Sequence, residues 1–332
     1  MNFPFNVYLP ALAGAFLASL LTLPLWRKWC QRAGLVDDPG HRKIHSTPVP
    51  LAGGLAVLTG MVVPLLIGAA AAHWAIPNLD LEDRLLSHGF NRRANELGAI
   101  ILGAIGIVAL GWLDDRHELR PPIKFGGQLL VAAVVASAKV RITLFVPNLA
   151  FSYAITILWI LTVINAFNFM DNMNGLCAGL GAISAWFFAL IAMMEGQYLV
   201  ALLALLACGA LLGFLPYNFP KASAFLGDAG SHLVGYLLAV MAILPHFYTP
   251  RQPRVWAVFI PLLILAVPLG DLVWVVALRW RLGQPFYVGD NNHLSHRLVK
   301  TGWDRKRAVL FIWLLATISG ALGFLLLLRA GG

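Results

Sequence analysis

Charge is what this sequence has least of. Only 12% of its 332 residues are charged and 59% are hydrophobic, whereas a water-soluble domain carries about a quarter charged residues to cover its surface. That scarcity argues against one or two soluble domains and for a single membrane domain with most of its surface in lipid. Cysteine is scarce too: Cys30, Cys177 and Cys208 stand far apart, with no CxxC spacing. A disulfide framework or a cysteine zinc site is therefore not expected. Acidic residues number 15 against 24 Lys and Arg, a net charge of +9. No basic stripe interleaved with aromatics accompanies the excess, so no nucleic acid partner is expected. The cations fall between apolar runs, where they set topology and meet anionic headgroups.

What is abundant is the apolar run. A hydrocarbon core about 30 Å thick needs about 20 apolar residues per helix, and ten segments qualify as candidate spans: 4–26, 51–73, 95–113, 125–140, 151–168, 176–194, 197–215, 229–247, 255–278 and 308–329. The expected fold is an all-α polytopic membrane protein, a single domain over 1–332. The first run is no secretory signal, because Arg27, Lys28 and Arg32 follow it and no cation precedes it. The positive-inside rule then puts both termini outside and the segments 27–50, 114–124, 169–175, 216–228 and 279–307 in the cytoplasm. Polar motifs that segregate to one side in this way can converge on a single cytoplasmic cleft.

Five such motifs stand out, each with a plainer alternative. In the first, Arg42, Lys43 and His45 precede Pro48, Pro50 and the pair Gly53-Gly54. Such a stretch suits phosphate at a helix N-terminus, or is a solvated basic loop that fixes topology. In the second, Asp114 and Asp115 end an apolar run, with Arg116, Lys124 and Gln128 beyond. Adjacent carboxylates at a membrane edge suit a cation or a proton, or open a loop beside a salt-bridging arginine. In the third, Asn165, Asn168 and Asp171 recur at i, i+3 and i+6 ahead of Asn174-Gly175, which gives either a shared polar face or a cap and turn. The fourth holds Asp228, a further carboxylate for a hard cation or simply a helix cap. The fifth holds His293, His296 and Arg297; the two histidines are i, i+3 and share a helix side, suited to phosphate oxygens more than to zinc. The remaining histidines, His232 among them, and the Trp residues near span ends read as interfacial.

Taken in order, RKIHSTPVPLAGG, GWLDDRHELRPPIKFGGQ, NAFNFMDNMNGL, FLGDAGS and HLSH resemble the polyprenyl-phosphate N-acetylhexosamine-1-phosphate transferase superfamily (glycosyltransferase family 4). The resemblance runs from about residue 34 to 308. It implies transfer of a sugar-1-phosphate from a UDP-amino sugar to a polyprenyl phosphate such as undecaprenyl phosphate, releasing UMP, with Mg²⁺ or Mn²⁺ as cofactor. By the same resemblance Asp114 and Asp115 are the catalytic carboxylates and Asp228, with Asp115, holds the metal. Lys43, His45, Lys124, Asn165, Asn168, Asp171, Asn174, His293, His296 and Arg297 would bind substrate. The likeness is greater to the branch using UDP-N-acetylglucosamine than to the branch using UDP-N-acetylmuramoyl-pentapeptide, and implies the inner (cytoplasmic) membrane. Two positions depart from the family's pattern. Asn174 stands where DGIDGL has its second carboxylate, and Ser295 where HIHH has its middle histidine. Those departures motivate an inactive scaffold as a rival reading. An ion-coupled transporter is another, although no internal repeat and no mid-span carboxylate cluster supports it. Whether the protein works as a homodimer is left open.

Overall fold

The computed structural model describes residues 4–39, 47–75, 94–143, 146–245, 255–285 and 290–329. Helix α1 (Phe5–Ala33) ends at Gly34, whose left-handed backbone (φ 70°) turns the chain. The short strands β1 (Val36–Asp37) and β2 (Val49–Pro50) then pair antiparallel, Val36 opposite Pro50. There follow α2 (Gly53–Ala75), α3 (Ala94–His117), α4 (Pro121–Ser137), α5 (Leu149–Met170), α6 (Leu176–Met194), α7 (Tyr198–Asn218) and α8 (Gly227–Ile243). A 3₁₀ turn (Val255–Phe259), α9 (Ile260–Ile264), α10 (Ala266–Arg281), α11 (Leu294–Lys300) and α12 (Arg305–Arg329) complete the order.

Each of the ten expected spans overlaps a helix within the described residues, residues 246 and 247 lying outside them, yet the spans are not equivalent. Among the described residues seven helices are long and apolar enough to cross a membrane: α1, α2, α3, α5, α6, α7 and α12. The expected span 255–278 is broken by an 80° bend between Ile264 and Ala266. Pro268 has no N–H to offer the carbonyl of Ile264, so the helical ladder cannot run through the bend. The expected spans 125–140 and 229–247 become the 17-residue helices α4 and α8. Helix α4 starts four residues before its apolar run because Pro121 and Pro122 suit a first turn, whose N–H groups need no helical partner. The link after α4 folds back on α5: Ile142 N–H donates to Thr156 Oγ1 (2.9 Å) and Ser152 Oγ to the Ile142 carbonyl (2.7 Å).

Helix α6 is 78% buried over its apolar window and α7 67%, against 22% for α1 and 28% for α12. These two, with α8, which is buried from Ala229 to Ile243, therefore form the interior of the bundle. Helix α1 packs on α7 and α2, α12 on α6, and α8 is wedged between α3 and α5. Leucines such as Leu21, Leu66, Leu102, Leu130 and Leu158 stay exposed on the outer helices, as expected where the surrounding solvent is hydrocarbon.

Small residues set how closely α8 is held. A Cβ on Gly54 would lie 2.6 Å from Gly230 N, and one on Gly111 would lie 2.5 Å from Ala229 N. The Gly53-Gly54 pair thus brings α2 against the start of α8. Main-chain bonds from Gly53 N to the Phe225 carbonyl (2.9 Å) and from Phe225 N to the Pro50 carbonyl (3.0 Å) tie the hairpin to the same place.

Candidate functional site

Four helix ends meet around the first turn of α8. Asp114 and Asp115 come from the last turn of α3, Lys124 from the first turn of α4, Asn168 from the last turn of α5, and Asp228 from α8 itself. Lys124 Nζ lies 2.6 Å from Asp114 Oδ2 and 2.9 Å from Asp228 Oδ2, bridging the two carboxylates. Asn168 Nδ2 donates to Asp228 Oδ1 (2.6 Å) and to Ser231 Oγ (3.0 Å). Asp114 Oδ1 accepts the N–H of Leu119 (2.8 Å), which fixes the turn between α3 and α4.

The neighbouring carboxylate of Asp115 is used differently. Its Oδ1 accepts the N–H of Asp228 (2.7 Å) and its Oδ2 that of Ala229 (3.1 Å). Asp115 therefore caps α8 from a neighbouring helix, satisfying two of the four N–H groups that a helix start leaves without partners. Gly227, at φ +71°, leaves room for it: a Cβ there would sit 2.8 Å from Asp115 Oδ2. Asp228 is not the cap of α8 but the residue being held.

Asp171 follows α5 as its C-cap. Burial, then the negative charges of Asp228 and Asp115, push its carboxyl up to about 8. Asp171 thus feels the charges of Asp228 and Asp115, while among the described carboxylates Lys124 contacts only Asp114 and Asp228. Oxygen donors in that state fit a hard cation in their chemistry. They do not enclose one as they stand: among the described residues no three His, Cys, Asp or Glu side chains converge closely enough to hold a metal.

Asp171 also lines a cavity of ≈ 840 Å³, whose polar side holds Asn172, Asn174, Asp37, Thr47, Lys221, Arg305 and Lys306 and whose apolar side includes Phe219 and Val309. Asn174 reaches it from the α5–α6 turn, its Nδ2 donating to the Pro220 carbonyl (3.2 Å). The turn ends at Gly175 (φ 77°), whose N–H donates to the buried Asn218 Oδ1 (2.6 Å). Among the expected substrate-binding residues, Asn165 lies one turn deeper, its Nδ2 donating to Gln128 Oε1 (2.8 Å). His293 and His296 do share a side, with ring centroids 6.2 Å apart. His293 is buried and its Nδ1 is 2.7 Å from Asp271 Oδ2. Burial, then the positive charges of His293, Arg305 and Lys300, hold the His296 imidazole below its ordinary value. Arg297 is exposed and its guanidinium lies over the Trp274 ring at 4.4 Å. Lys43 and His45 lie outside the described residues.

In the sequence Lys221, Arg305 and Lys306 read only as topology-setting cations, and Asp271 sits inside an apolar run without a motif around it. His232, expected at an interface, is fully buried, with Nε2 3.4 Å from Gln128 Nε2. Its spacing of four from Asp228, matched by Lys124 and Gln128 on α4, was the available signal: polar pairs one helical turn apart on facing helices.

Apolar helices of membrane length, with carboxylates, amides and a lysine gathered where helices end, define the class: a multi-pass integral membrane protein with a charged site outside its apolar interior. The comparisons supply the family. Residues 97–246 match the model described as glycosyl transferase family 4. The chain is 33% identical over 316 residues (92% of this chain, 82% of the relative) to a probable undecaprenyl-phosphate N-acetylglucosaminyl 1-phosphate transferase of Bacillus subtilis. It is 32% identical over 334 residues (92% and 79%) to a decaprenyl-phosphate N-acetylglucosaminephosphotransferase of Mycobacterium tuberculosis. An undecaprenyl-phosphate alpha-N-acetylglucosaminyl 1-phosphate transferase of Escherichia coli is 28% identical over 331 residues (95% and 82%). The chain belongs to glycosyl transferase family 4 and is a transferase.

Proposed function

We propose that this protein transfers N-acetylglucosamine-1-phosphate from UDP-N-acetylglucosamine to undecaprenyl phosphate. The products are undecaprenyl-diphosphate-N-acetylglucosamine, which starts an envelope glycan, and UMP. The observation that carries this reading is the bridge Asp114–Lys124–Asp228 near a cavity whose lining includes Asp171, Lys221, Arg305 and Lys306. A nucleotide diphosphate needs that combination of cations around its phosphates and carboxylates for a metal and a proton. The names of the relatives point to the same donor sugar and lipid class.

In this reaction an oxygen of the lipid phosphate attacks the phosphorus bonded to the sugar. A new P–O bond forms there, and the bond to the UMP oxygen breaks with UMP as leaving group. Phosphoryl transfer of this kind depends on position and charge neutralisation more than on covalent help from the protein. Lys124 would neutralise a phosphate oxygen brought up to its ammonium beside Asp114 and Asp228. Asp114 is the better candidate to take a proton from the lipid phosphate, because its Oδ2 has a mobile partner, the Lys124 ammonium. Asp115 would first have to release two backbone N–H groups of α8. Mg²⁺ or Mn²⁺ would be held by Asp228 and Asp171, and would supply further charge neutralisation of the diphosphate. Asp171 is proposed as the second carboxylate for that ion in place of Asp115, whose two oxygens are engaged by backbone N–H groups.

The proposed topology keeps ten crossings in the inner (cytoplasmic) membrane, with α4, α8 and the bent α9–α10 pair as the short ones, both termini outside and the site facing the cytoplasm. The test is the lipid product. Purified protein given undecaprenyl phosphate, Mg²⁺ and UDP-N-acetylglucosamine should yield a lipid whose mass has grown by N-acetylglucosamine-1-phosphate. A lipid that grows only with UDP-N-acetylmuramoyl-pentapeptide would replace the donor, and an unchanged lipid would remove the reaction.

A further inference from the structure

Asp271 lies on α10, six residues after the bend at Leu265, and is 5% exposed. A carboxylate so placed in an apolar helix needs partners, and it has two from one place. Oδ1 accepts the N–H of Leu294 (2.6 Å), and Oδ2 is 2.7 Å from His293 Nδ1. The first bond caps α11. The second fixes the imidazole, since a carboxylate at Nδ1 requires a proton on that nitrogen and leaves Nε2 facing away.

Three further contacts carry this pair to the Asp171 turn. The His293 ring meets Phe169 edge to face, centroids 5.4 Å apart. Arg279, one face of its guanidinium 5.0 Å from Phe169, is bound to Asp290 at 2.7 Å, and Asp290 in turn accepts the N–H of Asn292. Ser295 Oγ donates to Asn172 Oδ1 (2.6 Å), and Asn172 lines the cavity. No described residue partners His293 Nε2.

We infer that Asp271 is a positioning residue of the transfer reaction: it keeps the proton of His293 on Nδ1, so that Nε2, near the Asp171 turn, carries the lone pair and accepts a hydrogen bond from a hydroxyl of the UDP-sugar. Asn172 and Ser295 lock the short helix that carries this histidine onto the Asp171 turn. The inference rests on the proposed reaction for its substrate, though not for the tautomer of His293.

Asp271→Asn tests it with little change of shape. An asparagine offers one acceptor to two donors. The Leu294 N–H cannot adjust, so it keeps the oxygen, and the amide NH₂ faces His293 and turns Nδ1 into an acceptor. Imidazole ¹⁵N shifts of His293, assigned by loss of the signal in His293→Asn, should show protonated Nδ1 in the parent and protonated Nε2 alone in Asp271→Asn. In UMP-release assays kcat should fall about 10–100-fold, the usual scale for removing a carboxylate behind a functional histidine, with KM for the UDP-sugar nearly unchanged. Asp271→Asn should cost nothing more in a His293→Ala background. An unchanged tautomer, an undiminished kcat or additive losses in the double variant would each overturn the assignment. If the parent protein releases no UMP, the proposed reaction fails, while the ¹⁵N shifts still decide whether Asp271 sets the tautomer.

Discussion

Lys124 is the one cation between Asp114 and Asp228 among the described residues, at 2.6 and 2.9 Å. Replacing it by Gln keeps a donor and removes the charge. Lys124→Gln should lower turnover by about 10²–10³-fold, the scale for losing one group that stabilises transition-state charge, while circular dichroism reports an unchanged helix content. Turnover within a few-fold of the parent would take Lys124 out of the reaction. Asp171 invites the opposite trade. Its folded carboxyl titrates near 8 against 3.8 for an ordinary aspartate. The folded state therefore loses stability as pH rises from the lower value to the higher, because only the unfolded chain gives up the proton easily. In metal-free protein Asp171→Asn should melt above the parent at pH 8, with the gap closing towards pH 4, and should have little activity. A gap that widened on acidification would contradict the burial argument. The carboxylates, the lysine and the histidines were legible in the sequence because charged residues at the edge of apolar runs are costly and few. Asp271 and Asn218 were not, since a single polar residue inside an apolar run shows its partner only once the helices are packed.

At the scale of the element, the start of α8 is the part on which the site depends. Its backbone is pressed by Gly54 from α2 and Gly111 from α3, and two of its N–H groups are held by Asp115. Gly111→Ala would drive a methyl group into Ala229 backbone, a contact no side-chain rotation relieves. An overpacking cost of about 1–3 kcal/mol is expected, read as a lower melting temperature in detergent together with lost turnover. A Gly111→Ala protein with parental stability and activity would mean that α3 and α8 do not approach this closely. The apolar runs themselves were plain in the sequence, and so was the proline start of α4. The 80° break at Leu265 was not, because Pro261 and Pro268 lie in a run whose hydropathy continues without interruption. Proline marks where a helix ladder can fail, and packing against α12 and α5 accompanies the chain's turn there.

At the scale of the whole molecule, motifs more than a hundred residues apart come together because each sits at a helix end. Asp114 and Asp228, for example, meet through one lysine. Their sidedness was inferred from the basic loops, and it can be tested directly. Cysteines introduced at His117 and Asn292, in a background lacking the three native ones, should react with a membrane-impermeant maleimide only after the cell is opened. Labelling in intact cells would invert the topology and take the site away from cytoplasmic nucleotide sugars. The reaction itself is the central claim, and UMP release by the purified protein tests it most directly. With UDP-N-acetylglucosamine present, release should require both undecaprenyl phosphate and Mg²⁺, and should stop when EDTA is added or when Asp228 is replaced by Asn. Release without the lipid, or none from folded protein with any UDP-sugar, would contradict it.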